Sequence, residues 1–138
     1  MSYLEGTIGY AIRRAQMAVF DDIFRAFGEH KITTAEFSVL AIVADNPGIN
    51  QADLALSLGV ERPRMVPIIN RLEESGLASR LVDGQDGRTR RIHLTRQGEK
   101  LLEILKARFA EHQARMLKRL RAGTPDGILS DLWKLAGR

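Results

Sequence analysis

Two stretches with helical periodicity, INQADLALSLG (49–59) and ERPRMVPIINRLEESG (61–76), are separated by a turn with no slack in it. In the first, Asn50 is suited to cap a helix N-terminus and Asp53 to act from the first turn. Leu54, Ala55 and Leu58 fall on one face. Gly59 sits where that helix must stop and the chain must reverse, a position that favours left-handed backbone. In the second, Met65, Ile68, Ile69 and Leu72 recur at three- and four-residue spacing. Two amphipathic helices joined this tightly must cross closely, and small Ala55 at the crossing lets them do so.

The second helix carries two prolines, Pro63 and Pro67. A proline in a helix interior removes a hydrogen bond and costs about 3 kcal/mol. Placing residues at helical angles resolves the conflict. Met65, Ile68, Ile69 and Leu72 centre the buried face, while Pro63, Pro67, Asn70 and Glu74 centre the opposite one, with Arg64 and Arg71 on a flank. Both prolines then point outward. Pro63 falls in the first turn, where its missing N–H has no helical partner to lose. Pro67 lies one turn further in, so the helix either starts late, near Arg62 to Arg64, or bends.

After Gly76 the period changes. Leu77–Asp83 and Thr89–Leu94 are short runs flanking a polar tip, GQDGR, in which apolar and polar residues alternate. This predicts a β-hairpin. Before the helix pair, TTAEFSVLAIVADNPG predicts a helix capped by Thr33 or Thr34, with Glu36 in its first turn and Phe37, Leu40, Ile42 and Val43 on its apolar face. The ends of the chain read as long amphipathic helices. One runs from Leu4 to Phe27 and one from Thr95 to about Arg121, roughly 25 residues each. A short last helix is capped by Thr124 with Pro125 at its first position. Such lengths, nearly 40 Å at 1.5 Å per residue, exceed the diameter expected of a globule of this size. The excess predicts a homodimer built from the chain ends. The fold class is therefore mainly α with a small β-hairpin: a winged helix-turn-helix lobe over residues 33–94, with a helical dimerisation lobe from 1–30 and 95–138, in a single 138-residue domain.

Composition narrows function. Without cysteine there is no disulfide, thiolate metal site or thiol redox sensor. No apolar run reaches the roughly 18 residues needed to span a bilayer, and the N-terminus lacks the pattern of a secretory signal, so the expectation is a cytoplasmic chain. His30, His93 and His112 are scattered, and His112 reads as a surface side chain. No phosphate loop or catalytic pair is present, which argues against an enzyme, a metal site or a cofactor. Charge is segregated: residues 1–60 hold 4 Lys/Arg against 7 Asp/Glu, whereas 61–100 hold 9 against 6 and 101–138 hold 8 against 4. Basic charge gathered in this way points to a polyanion.

Double-stranded DNA fits that requirement, with the second helix of the pair entering the major groove by its N-terminal end. Arg64 is placed for a bidentate contact to a guanine edge and Arg62 for a phosphate or base, while the rings of Pro63 and Pro67 can lie against thymine methyls. Asn70 and Arg71, further along, suit phosphates. In the hairpin, Arg88 is the choice for insertion into a narrow minor groove. Arg90 and Arg91 lie beside it, and Asp86 pairs with a nearby arginine to shape the loop. A winged helix used as a protein-interaction module is the alternative, and such modules usually lack arginines on these two elements.

The segment LEESGLASRLVDGQDGRTRRIHLTRQGEKLLE resembles the wing region of the MarR family of bacterial transcription regulators. Asp86, Arg88, Leu94, Thr95 and Gly98 match that family's acid, arginine, Leu-Thr and glycine pattern. LEESGL and INQADLALSLGV also fit. The resemblance implies an intertwined homodimer on a pseudo-palindromic operator. It also implies repression relieved by a small molecule, often an aromatic or phenolic acid, or its thioester, bound between the dimer helices and the DNA-binding lobe. Tyr10, Arg13, Arg14, His30, Phe37 and Trp133 are candidates to line such a cleft. Many relatives carry small hydroxyl residues and a basic residue where this chain has Pro63, Arg64 and Pro67, a departure that bears on operator sequence rather than on binding mode.

Overall fold

The computed structural model describes residues 1–82, 89–120 and 125–138. Asp86 and Arg88 at the hairpin tip, and the Thr124 cap, therefore lie outside the described residues. The element order is α1 (Ile8–Phe27), α2 (Thr34–Asp45), α3 (Gln51–Leu58), α4 (Arg62–Glu74), β1 (Ala78–Val82), β2 (Arg90–Leu94), α5 (Arg96–Arg119) and α6 (Asp126–Leu135). The strands pair antiparallel, with Ala78 opposite Leu94 and Val82 opposite Arg90. The chain forms two compact units, one of residues Phe27–Ala107 and one of Met1–Ala26 with Arg108–Arg138.

In the first unit the expected caps are present. Thr33 accepts a hydrogen bond from the Glu36 N–H (3.1 Å) and opens α2. Asn50 accepts from the Asp53 N–H (2.8 Å) and opens α3. Gly59, at φ 72°, closes α3 in left-handed backbone, and the Val60 N–H returns to the Ala55 carbonyl at 3.1 Å. Leu54, Ala55, Met65, Ile69 and Leu72 are buried where α3 meets α4. On α2, Phe37, Leu40 and Val43 are buried as expected, but Val39 joins them fully buried and Ile42 is only half-buried.

The hairpin gains an edge that periodicity does not reveal. Ile49, between α2 and α3, forms an isolated bridge with Ile92: its carbonyl accepts from the Ile92 N–H at 3.0 Å. The free side of β2 is thereby covered at its centre, where Ile92 is buried.

Gly98 explains the Leu-Thr…Gly pattern. Thr95 caps α5 by accepting from the Gly98 N–H (3.0 Å), and its hydroxyl donates to the Gly76 carbonyl (2.5 Å). This draws the first turn of α5 onto Leu77. A Cβ on residue 98 would stand 2.0 Å from the Leu77 carbonyl oxygen, so only glycine fits.

The second unit contains most of α1, the end of α5 and α6. The N-terminal helix is shorter than its periodicity predicts. Leu4–Gly6 is a separate 3-10 turn, and α1 begins at Ile8 with 20 residues. Thr7 makes the break: its hydroxyl donates to the Leu4 carbonyl (2.8 Å) while its backbone is extended. At 24 residues, α5 matches its expected length. His112, expected at the surface, is instead buried. Its Nδ1 lies 2.6 Å from Asp22 Oδ2, and Arg115 Nη2 donates to the same oxygen at 2.9 Å. The Arg115 hydrogen bond, then that of His112, lowers the Asp22 pKa to about 2. With Asp22 ionised, the shared proton belongs to Nδ1. The position was legible: Leu105, Phe109, His112 and Met116 share one helical stripe. No helix among the described residues is long and apolar enough to cross a membrane.

Candidate DNA-binding surface

The α4 helix starts at Arg62, with Glu61 as its extended N-cap and Pro63 in the first turn. Arg62, Pro63, Arg64 and Pro67 are all exposed, and Met65 and Ile69 beneath them are fully buried. Pro67 is the sixth helical residue. Its missing N–H leaves the Pro63 carbonyl without its helical donor, on the solvent side where water or a ligand can supply one.

Three elements converge beside this turn. The start of α3 (Asn50, Gln51, Ala52), Arg62 of α4, and Thr89 with Arg90 at the base of the hairpin line one cavity of about 420 Å³. Two guanidinium groups and a capped helix N-terminus facing one space form a setting for an anion, because the first backbone N–H groups of a helix and its dipole favour negative charge there.

The hairpin arginines divide by strand alternation. Arg90 is exposed, whereas Arg91 is half-buried and its Nη1 donates to the Gly48 carbonyl (3.3 Å). Arg91 therefore fastens β2 to the loop before α3.

The second half of α4 is also engaged internally. Asn70 is half-buried, and its Oδ1 accepts a hydrogen bond from Arg80 Nη2. Arg80 Nε donates to Glu73 Oε1 at 2.6 Å, so β1 is tied to α4 through one guanidinium. Arg71 Nη1 lies 3.1 Å from Oε1 of the buried Glu36. Of the polar residues expected to face DNA, those in the first turn are open, Asn70 is half-buried and hydrogen-bonded to Arg80, and Arg71 is exposed but paired with Glu36. Sequence reasoning missed Glu36, Glu73 and Arg80 as partners because nothing in local spacing joins α2 or β1 to α4.

The residues proposed for a small molecule fall in both units. On α1, Arg14 Nη1 donates to the Tyr10 hydroxyl (2.9 Å), and Arg13 is exposed beside it. His30 is half-buried with Nε2 3.6 Å from Glu29 Oε1, and Phe37 packs its ring 5.1 Å from that of Phe27. Trp133 is exposed, with the Arg138 guanidinium 4.7 Å from its ring centre. Among the described residues no group of three or more His, Asp or Glu side chains is arranged to hold a metal ion.

Comparison with known proteins agrees with this architecture. A family model described as MarR family matches residues 30–89. A protein of Thauera aromatica assigned to transcriptional regulation of the hcr operon is 31% identical over 135 residues, covering 95% of this chain and 81% of that protein. The solved structure of the transcriptional repressor CouR bound to a 23-mer DNA duplex superimposes with a TM-score of 0.92 at 36% identity, covering 99% of this chain and 96% of that one. CouR bound to p-coumaroyl-CoA does so with a TM-score of 0.89 at 35% identity and the same coverage. With a helix pair turned at Gly59, a two-stranded wing and long terminal helices, the chain belongs to the MarR family of winged helix-turn-helix transcription regulators, DNA-binding proteins and not enzymes.

Proposed function

We propose that this protein is a repressor that binds a pseudo-palindromic operator near its own gene as a homodimer and is released by an aromatic acid or its coenzyme A thioester. The carrying observation is the open first turn of α4. Arg62, Pro63, Arg64 and Pro67 are exposed on a helix whose opposite face is locked in the core, and Arg62 shares its cavity with Arg90 and the start of α3. In this reading Arg64 meets a guanine edge, the proline rings meet thymine methyls, and Arg62 and Arg90 hold a phosphate. Arg88 enters the minor groove with Asp86 shaping its loop. The free amide of Asn70 is left for a lesser backbone contact.

Residues 33–94 then form the DNA-reading lobe, and 1–30 with 95–138 the dimerisation lobe. Exposed Ile8, Phe20 and Phe24 on α1 and Leu129, Leu132 and Trp133 on α6 supply the apolar surface for a second copy. Tyr10, Arg13, Arg14, His30 and Phe37 are the proposed effector contacts. The relative solved with p-coumaroyl-CoA makes an aryl thioester the first ligand to try.

The test is fluorescence anisotropy on a labelled fragment of the protein's own promoter at low salt, with p-coumaroyl-CoA, the free acid and coenzyme A added in turn. Tight binding that the thioester or the acid reverses, and coenzyme A does not, is the expected result. Absence of binding to the fragment sinks the regulator reading. Binding that no aromatic ligand weakens sinks the effector.

A further inference from the structure

We infer that Glu36 is a positioning residue for DNA recognition: from α2 it holds Arg71 and thereby sets the angle of α4, keeping Arg71 from the DNA backbone. The inference rests on the DNA-binding reading above. Glu36 is 4% exposed although it stands in the first turn of a helix, where a carboxylate normally reaches into water. The Thr33 hydroxyl already satisfies the Glu36 N–H, and the Glu36 side chain turns toward α4. Its Oε1 lies 3.1 Å from Arg71 Nη1, yet that oxygen accepts no hydrogen bond. The approach is close but poorly directed, so the attraction is between charges rather than along a donor axis.

The Arg71 side chain itself is 61% exposed. It lies across the buried carboxylate with its other face in water. Swinging away to a phosphate would take from buried Glu36 the cation paired with it among the described residues, and an uncompensated buried charge is strongly disfavoured. Arg71 is thus an internal counter-charge. With Arg80 bound to Asn70 and Glu73, it gives α4 two ties, one to α2 and one to β1. Both lie in the half of the helix away from Arg62 and Arg64, so the tied end orients the free end.

Charge repulsion and helix orientation give Glu36 opposite effects on binding. Removing an acid near DNA should strengthen binding by lessening repulsion. If Glu36 orients α4, Glu36→Ala weakens operator binding by about tenfold and leaves non-specific DNA binding unchanged, since only the specific complex needs the helix angle. Arg71→Gln also weakens operator binding, but the slope of log affinity against log salt stays at the wild-type value. Arg62→Gln lowers that slope by about 1 per half-site. In urea unfolding, Arg71→Gln lowers the midpoint, and adding Glu36→Gln recovers most of the loss. The unfolding cycle needs no DNA, so it judges the pair even if the operator reading fails. Tighter operator binding by Glu36→Ala, a slope reduced by Arg71→Gln as much as by Arg62→Gln, or additive losses in the unfolding cycle would each overturn the inference.

Discussion

At the scale of single residues, Gly98 and Asp22 show how a position is fixed by what stands next to it. A methyl on residue 98 would meet the Leu77 carbonyl at 2.0 Å, and a backbone atom at the head of a strand cannot move aside as a flexible side chain can. Gly98→Ala should lose about 3 kcal/mol of stability in denaturant titration, the upper end of ordinary overpacking. Asp22 works through charge. Its pKa falls from 3.8 to about 2 through the hydrogen bonds from Arg115 and His112. A carboxyl depressed in the folded state adds stability above its unfolded pKa and loses it as pH falls through the folded one. Asp22→Asn should therefore be less stable than wild type at neutral pH, and the gap should close between about pH 4 and pH 2. A gap constant down to pH 2 in thermal unfolding would contradict the hydrogen-bonded trio.

At the scale of elements, α4 settles the question its prolines raise. The helix begins at Arg62, within the late start expected for it, and still contains Pro67 as its sixth residue, on the exposed face. Pro67→Ala restores a donor to the Pro63 carbonyl but loosens the unfolded chain, and the helix term is the larger. A gain of about 1–2 kcal/mol is expected in urea unfolding, together with relaxed base preference at one operator position in a binding-site selection. The periodicity of α2 to α5, the Asn50 and Thr95 caps and the Gly59 turn were legible because each depends on neighbours in sequence. The Ile49–Ile92 bridge, the Glu36–Arg71 pair and the hold of Arg80 on Asn70 were not, since they join segments that only the fold brings together. On the helical wheel Asn70 shares a face with the prolines and Arg71 flanks it, and a wheel cannot say which outward residues another element will claim. The buried His112 is a different case: its stripe is visible in the sequence, but histidine is usually found at surfaces.

At the scale of the whole molecule, the exposed apolar side chains of α1 and α6 require a cover. Phe24 is 51% exposed and Trp133 51% on helices with otherwise amphipathic sequence. A second copy is the proposed cover, and two half-sites then share one binding event. Leu129→Glu with Leu132→Glu should give a monomer in sedimentation equilibrium and reduce operator affinity at least a hundredfold, because the second half-site becomes a separate association. A variant that stays dimeric would move the interface elsewhere.

The salt dependence of operator binding is the decisive measurement, since ionic contact with a duplex releases counterions in proportion to the phosphates met. For wild type, affinity should fall about a thousandfold or more between 50 and 200 mM salt, and Arg62→Ala should flatten the slope by about 1 per half-site. Affinity that is indifferent to salt, or an Arg62→Ala slope equal to wild type, would contradict a DNA surface built on the first turn of α4.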